Sequence, residues 1–248
     1  MILILILLPD FAAAERDEIQ STFQQANAAY RAENYAAAID LYRQILNQGY
    51  QSADLYYNLG NSYYRRNEIG EAILFYNKAK KLNPRDPDIQ YNLEIANLKV
   101  IDRIKMPERF FLFEWWDEVK YFFSIYNLTY LVLSLFTVVI LFIILRFFTR
   151  SWGLRRGLLW LAGITGIVML FWAYILLIRF QDYHSNRQAV LLEPAASVFS
   201  APDDNSTQVF VLHEGVTVEL EEQRDTWMKI SLPDGKSGWL NSDKIGII

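Results

Sequence analysis

The longest hydrophobic stretches lie in the middle of the chain. Residues 121–145 and 157–178 contain no charged residue and are rich in Leu, Ile, Val and Phe. A bilayer core of ~30 Å is crossed by about 20 apolar helical residues, each adding ~1.5 Å. The pattern therefore predicts two transmembrane helices, at 124–146 and 157–179. A buried helical hairpin in a soluble protein is the alternative.

The segment between these stretches is basic. The predicted loop 147–156 and the adjoining Arg146 contain four arginines and no acidic residue. Short loops rich in Lys and Arg stay in the cytoplasm. We therefore expect a hairpin with a cytoplasmic loop and with both flanking regions on the outer face of the membrane, which in a bacterium is the periplasm.

The amino-terminal residues agree with this orientation. Eight apolar residues precede Pro9, and three alanines at 12–14 precede Glu15. A short apolar run before small residues is typical of a secretory signal peptide. We predict such a signal at residues 1–14, and a buried apolar strand is the alternative.

An aromatic cluster precedes the first predicted span. Residues 109–123 contain eight aromatic side chains. Trp and Tyr favour the headgroup region, where a ring is half exposed to water. Segment 105–123 is therefore predicted to lie at the membrane interface, and an aromatic collar on the first span is the alternative. The side chains expected at the interface are Phe110, Phe111, Phe113, Trp115 and Trp116.

Residues 19–99 repeat with a period of 34. The segment Tyr35–Tyr42 matches Ile69–Tyr76, and Tyr57–Leu59 matches Tyr91–Leu93. This period and pattern resemble the tetratricopeptide repeat (TPR), which implies paired antiparallel helices stacked into a solenoid. The resemblance implies an all-α domain at 15–104, with repeats at 19–52 and 53–86 and a capping helix at 87–103.

The TPR resemblance also implies a concave groove for extended peptides. Its lining positions fall on Phe23, Asn27, Tyr30, Arg31, Tyr57, Asn61, Tyr64, Arg65, Tyr91 and Lys99. Arg31, Arg65 and Lys99 follow one another at the repeat period and form a basic row, which suits a segment with carboxylates. Asn27 and Asn61 resemble part of the carboxylate clamp of chaperone-binding TPR domains. The alternative is that these are ordinary surface residues of the repeat.

The carboxyl-terminal residues change to short alternating apolar stretches broken by turns, which predicts strands. The segments Trp227–Ile230 and Asp234–Leu240 resemble the signature of the bacterial SH3-like (SH3b) domain. The resemblance implies an all-β SH3-like barrel of five to six strands at 185–248. Its signature residues are Trp227, Gly235, Gly238 and Trp239. We expect both tryptophans to plug the barrel, with a role as a ligand platform as the alternative.

Composition limits the chemistry. The chain has 248 residues, no Cys and two His, which excludes disulfides and thiolate chemistry. Its net charge of −4 argues against a nucleic-acid-binding protein. The sequence contains none of the common hydrolase, metalloprotease or nucleotide-binding motifs. We therefore predict a protein that is not an enzyme and needs no metal or cofactor.

The whole order of a signal, TPR repeats, two spans with a basic loop and an SH3b domain resembles the BatE family of the Bacteroides aerotolerance (Bat) operon. The resemblance implies a multidomain scaffold of the bacterial inner membrane with a role in oxygen or stress tolerance. It also implies partners among membrane von Willebrand A-domain proteins, another TPR protein and a MoxR-type AAA+ ATPase. The alternative is a cell-wall protein, whose SH3b domain binds peptidoglycan and whose TPR domain recruits envelope-assembly partners.

Overall fold

The computed structural model describes residues 8–104, 110–185 and 188–248. The chain divides into two compact units, one formed by Met1–Pro107 with Arg187–Ile248 and the other by Glu108–Asn186. The first half of the predicted signal peptide, residues 1–7, lies outside the described residues, as does the start of the predicted interface segment, residues 105–109.

Helices form the amino-terminal part of the first unit. Turns with left-handed residues separate them at Glu33 and Asn67, which occupy equivalent positions of the two repeats. Side chains cap several helices: Ser52 Oγ, for example, accepts a hydrogen bond from the Leu55 N–H at 3.1 Å. The helices are α1 (Leu8–Arg31), α2 (Tyr35–Asn47), α3 (Ala53–Arg65), α4 (Ile69–Leu82) and α5 (Pro87–Asn97).

Small residues allow the helices of the second repeat to approach closely. A Cβ added at Gly60 would lie 2.7 Å from the Tyr76 ring, so the ring takes the space that glycine leaves. Ala72 is fully buried nearby. This region is a helical TPR-like domain, as the period of the sequence predicted.

The last helix of this region is shorter than predicted. The expected capping helix reaches residue 103, whereas α5 ends at Asn97. Beyond it, Val100 packs against both the apolar core of the helices and that of the carboxyl-terminal domain, and Ile104 packs against the latter.

The carboxyl-terminal domain is one antiparallel sheet of seven strands in the order β3-β2-β6-β5-β4-β1-β7. The sheet is not closed, so the expectation of a five- to six-stranded barrel is wrong. The strands are β1 (Gln188–Leu191), β2 (Ala195–Phe199), β3 (Gln208–His213), β4 (Thr217–Arg224), β5 (Trp227–Ser231), β6 (Ser237–Asn241) and β7 (Ile245–Ile247).

The β7 edge of this sheet is covered by a helix. Gly246 lies so close to Leu74 of α4 that an added Cβ would collide with its side chain. At the end of β3, the opposite edge strand, Asp102 Oδ2 accepts a hydrogen bond from the His213 N–H at 2.6 Å. A covered edge has no need to pair with another strand.

The second unit contains α6 (Phe111–Lys120), α7 (Ile125–Phe148) and α8 (Trp152–Ser185). α7 and the Trp152–Gln181 part of α8 are long and apolar enough to cross a membrane, and 6% of the most apolar window of each is buried. α8 starts inside the predicted loop 147–156, because the residues from Trp152 onward are compatible with a helix and the Arg155 N–H already bonds the Ser151 carbonyl. The connection between the two helices is therefore reduced to 149–151.

Candidate functional site

In the predicted groove, one arrangement of asparagine and tyrosine hydrogen bonds occurs in both repeats, and we call it the asparagine ladder. In the second repeat, Asn61 Oδ1 accepts hydrogen bonds from the Tyr76 hydroxyl at 2.7 Å and from Asn92 Nδ2 at 2.9 Å. The same three roles occur one repeat earlier, with distances of 2.6 and 3.3 Å, in Asn27, Tyr42 and Asn58. The oxygens of both predicted clamp asparagines are therefore used within the fold.

Burial keeps the tyrosines of this ladder in the neutral, donating form. Desolvation raises the pKa of Tyr42 to about 12 and raises the pKa of Tyr76 further above its ordinary value. Among the described residues, the Nδ2 groups of Asn27 and Asn61 make no hydrogen bond. These amide groups remain available as donors to a ligand.

A partly open cavity of about 130 Å³ lies beside the second ladder. Its walls come from α1, α3, α4 and α5, in the form of Tyr30, Asn61, Tyr64, Arg65, Tyr76, Asn92 and Ile95. Four of these residues were predicted to line the groove. The groove prediction missed Tyr76, Asn92 and Ile95, although Asn92 repeats Asn58 at the period of the sequence and could have been found from that match.

Two cations of the predicted basic row lie over aromatic rings. The Arg65 guanidinium lies 5.2 Å from the centre of the Tyr35 ring, and Lys99 Nζ lies 4.2 Å from the centre of the Tyr64 ring. Lys99 Nζ also donates a hydrogen bond to Asn67 Oδ1 at 3.4 Å. Within the described part of the chain, neither these two cations nor Arg31 pairs with a carboxylate. The row therefore carries uncompensated positive charge.

The remaining aromatic residues of the predicted groove, Phe23, Tyr57 and Tyr91, differ from one another in their surroundings. Phe23 packs on the Tyr42 ring with centroids 5.8 Å apart, and Tyr57 accepts a hydrogen bond from Asn92 Nδ2 at 2.9 Å. Tyr91 is 64% exposed. Phe23 and Tyr57 are thus engaged in packing or hydrogen bonding, whereas the Tyr91 ring projects from the surface.

The two signature tryptophans lie on the face of the sheet opposite its apolar core. Trp239 is paired with Lys229 and with Phe199, whereas Met228, Ile230 and Leu240 face the core. Neither tryptophan is part of that core cluster, although Trp239 is buried, with 6% of its surface exposed. The reason is strand parity, since Trp227 and Met228 are consecutive and must point to opposite faces.

An aromatic cluster results on this outer face. The Phe199 and Trp227 rings meet edge to face at 5.7 Å, and the Arg224 guanidinium lies 5.1 Å from the Trp239 ring centre. Trp239 is 6% exposed, so Trp227 is the more accessible of the two tryptophans. Gly238 allows the close strand approach, because an added Cβ would lie 2.9 Å from the Phe199 carbonyl oxygen. Gly235 adopts a φ of +88° in the turn before β6.

The TPR-like helices and the sheet are packed together, although the whole second unit separates them in the sequence. Val190 of β1 is fully buried and belongs to the apolar core of the helices. Glu214 Oε1 accepts a hydrogen bond from the Gly70 N–H at 2.6 Å, and His213 Nδ1 lies 3.1 Å from Asp102 Oδ1. We call this surface the docking interface.

Comparison with known families supports two of the sequence-based predictions. Residues 23–87 match the tetratricopeptide repeat family, and residues 194–245 match the bacterial SH3 domain family. Both are interaction modules without catalytic activity of their own. No curated protein matches the chain. Within the described residues, no three acidic or histidine side chains are arranged to hold a metal ion.

Proposed function

We propose that this protein is a membrane-anchored scaffold whose TPR groove binds an extended protein segment through a carboxylate. The observation that carries this proposal is the cavity beside Asn61 and Arg65. Asn61 offers an unused amide donor there, and Arg65 offers a cation without an acidic partner among the described residues. A carboxylate accepts hydrogen bonds from both kinds of group, and its bonds to Arg are among the stronger ones in proteins.

The docking interface supports a hairpin arrangement of the two apolar helices. The helical repeats precede α7 and α8 in the sequence, and the sheet follows them, yet the two domains contact each other. Domains in contact lie on one side of a membrane, so α7 and α8 either both cross it or both do not. Because both helices are long, apolar and largely unburied, we propose that both cross the membrane.

The direction of the hairpin follows from charge. The residues at the α7–α8 connection include Arg150, Arg155 and Arg156, and basic connections stay cytoplasmic. We propose that the docked domains lie in the periplasm and that residues 1–14 direct export. We also propose that the protein belongs to a Bat-type aerotolerance or stress-resistance complex. Its partners there would be membrane von Willebrand A-domain proteins and another TPR protein.

Photo-crosslinking in the native membrane tests the groove. A photoreactive amino acid at position 91 replaces an exposed groove tyrosine and should capture the partner segment. Asn61→Asp keeps the oxygen that Tyr76 and Asn92 need but removes the amide donor and adds a negative charge. We expect this variant, and Arg65→Glu, to lose the crosslink while keeping the thermal unfolding temperature.

Lys80→Glu is the matched control for these variants. Lys80 is exposed on α4 and is not among the cavity residues, so the same charge reversal there should leave the crosslink unchanged. Crosslinking by Arg65→Glu at the level of the unmodified protein would reject the proposed groove. Protease digestion of spheroplasts tests the orientation, since protection of the docked domains from external protease would reject a periplasmic location.

A second candidate function rests on the outer aromatic face of the sheet. The Phe199 and Trp227 rings meet edge to face, the Arg224 guanidinium lies over the buried Trp239 ring, and a partly exposed aromatic ring with polar neighbours suits a ligand that combines apolar and hydrogen-bonding groups. We propose that this face is where the SH3 domain would bind peptidoglycan. Trp227→Ala should then reduce retention on purified sacculi, with Trp160→Ala in α8 as the control. Equal retention of both variants would remove this candidate.

A further inference from the structure

The helix α6 has an apolar face that is largely uncovered within the described part of its unit. At ~100° per residue, one arc of about 140° carries only apolar side chains, namely Phe111, Leu112, Trp115, Trp116 and Val119. Of these, Phe111 is 63% exposed and Trp115 is 59% exposed. A strongly amphipathic helix with its aromatic side uncovered needs a partner for that side.

The opposite arc of α6 is acidic. It carries Glu114, Asp117, Glu118 and Lys120, of which Lys120 Nζ lies 3.6 Å from Asp117 Oδ1. Phe113 also falls on this side, among the charged residues, which differs from the expectation that it lies at the interface with Phe111 and Trp115. The polar face therefore has a net charge of about −2 and suits water rather than an anionic surface.

A buried arginine fixes the carboxyl-terminal end of α6. Arg179 of α8 is 4% exposed and donates hydrogen bonds from Nη1 to the carbonyl oxygens of Lys120 at 3.3 Å and Phe123 at 2.8 Å. Its guanidinium also lies 4.8 Å from the centre of the Tyr121 ring. A cation at the last carbonyls of a helix satisfies acceptors that have no partner within the helix and complements its dipole.

The apolar face of α6 is continuous in sequence with the apolar surface of α7. Tyr121, Phe122 and Phe123 follow α6 directly, Ser124 then caps α7, and the exposed apolar surface of α7 begins there. If α7 crosses a bilayer, α6 ends within a few residues of the place where α7 leaves the hydrocarbon. The lipid that surrounds α7 is then also within reach of α6.

We propose that α6 lies in the plane of the membrane interface, with its Phe111–Trp115–Val119 side in the lipid and its acidic side in water, held by Arg179. This inference rests on the proposed crossing of the membrane by α7 and α8. The occupant of the apolar face is the bilayer at the boundary of headgroups and acyl chains. Because the polar face is acidic, the attachment depends on apolar burial, and anionic lipid should not strengthen it.

The absence of cysteine from the sequence makes a direct test simple. Single cysteines are introduced in the full chain by Trp115→Cys, Phe113→Cys and Val138→Cys, labelled with a nitroxide and reconstituted in phosphatidylcholine vesicles. The measured quantity is the accessibility of each label to oxygen, which concentrates in lipid, relative to a water-soluble nickel chelate. Phe113 is the matched control, because it is 60% exposed, like Trp115, but lies on the acidic side.

We expect labels at 115 and 138 to report lipid and the label at 113 to report water. Replacing a fifth of the lipid with phosphatidylglycerol should not move the label at 115 deeper. Arg179→Gln should abolish the contrast between positions 113 and 115, because α6 then loses its fixed orientation.

Other outcomes separate the two proposals. A label at 115 in water with a label at 138 in lipid would overturn the interface helix and leave the membrane spans intact. Labels at both 113 and 115 in lipid would also overturn it, because α6 would then be inserted rather than lying in the interface. A label at 138 in water would reject the membrane spans themselves. A contrast that survives Arg179→Gln would reject the role given to Arg179.

Discussion

The carboxylate of Glu214, in the turn after β3, accepts a hydrogen bond from the main-chain N–H of Gly70 at 2.6 Å. Gly70 is in the first turn of α4, whose own N-cap residue, Glu68, makes no capping hydrogen bond with its side chain. A residue 144 positions away thus supplies the cap that the local sequence does not. The amino-terminal end of α4 is completed only when the two domains are docked.

Removal of this cap should loosen the start of α4. We expect Glu214→Ala to lower the free energy of unfolding by about 1 kcal/mol, within the ~0.5–2 kcal/mol usual for a lost helix cap. Hydrogen exchange of the Gly70 and Glu71 amides should accelerate in the same variant. Glu219→Ala, an exposed position in β4, is the control and should leave these amides unchanged.

Gly70→Ala should destabilise the protein, although alanine has the higher helix propensity. In an exposed helix interior, alanine is favoured over glycine by about 1 kcal/mol. Here the added Cβ would lie 2.8 Å from the main-chain oxygen of Leu191 and 2.9 Å from Glu214 Cγ. A main-chain atom cannot relieve such a clash by changing its rotamer, as a side chain can. We therefore expect Gly70→Ala to lower the thermal unfolding temperature of the full chain.

The same change in a chain ending at residue 186 provides the control. Without the sheet, the Cβ meets neither neighbour, and Gly70→Ala should be neutral or stabilising in thermal unfolding. Destabilisation of equal size in both chains would show that docking is not the cause.

The hydrogen bonds accepted by Asn61 Oδ1 predict that substitutions of Asn61 differ in stability according to whether they keep this oxygen. Asn61→Ala leaves the buried Tyr76 hydroxyl without its acceptor and removes one of the two acceptors of Asn92 Nδ2, and an unsatisfied buried polar group costs ~1–3 kcal/mol. We expect a decrease in that range in chemical denaturation. Asn61→Asp, which retains the oxygen, should lose much less, and an equal loss in both variants would contradict the ladder.

The Glu71 carboxyl gives a pH dependence with a definite sign. Burial raises the pKa of Glu71 above its ordinary value, and the nearby carboxylates of Glu68 and Glu214 raise it further, against the hydrogen bond from its own main-chain N–H and the charge of Arg43. A raised carboxyl pKa means that the ionised form is disfavoured in the folded state. Its destabilising effect is complete above the folded pKa and vanishes below the unfolded pKa.

We therefore expect Glu71→Gln to be more stable than the unmodified protein at pH 7. The difference in unfolding temperature should shrink as the pH is lowered toward about 4, where the carboxyl becomes protonated in both states. A stability difference for Glu71→Gln that stays constant from pH 7 to pH 4 would contradict this assignment.

Repetition in the sequence predicted the helical region well. The same packing problem recurs in each repeat, so Gly60 against Tyr76 and the positions of Tyr64 and Arg65 follow from the repeat itself. The strands of the carboxyl-terminal domain were likewise signalled by alternation and turns. Each of these features depends on contacts within one repeat or between neighbouring strands.

The use of Asn27 and Asn61 did not follow from the sequence. Their spacing indicated a ligand clamp, whereas the structure commits the oxygen of each to the fold and leaves only the amide donor. A motif gives the residue types, and only the neighbours decide which atoms remain free.

Three kinds of segment can be identified from the amino-acid sequence alone: a helical repeat, two long apolar helices and a strand-rich end. Local periodicity encodes all three, because burial of one face of each element imposes its own spacing of apolar residues. The docking of the repeat on the sheet is visible only in three dimensions, where Glu214 bonds the Gly70 N–H and Val190 joins the core of the helices. Such contacts join residues that are far apart in the chain, and their complementarity leaves no periodic trace in the sequence.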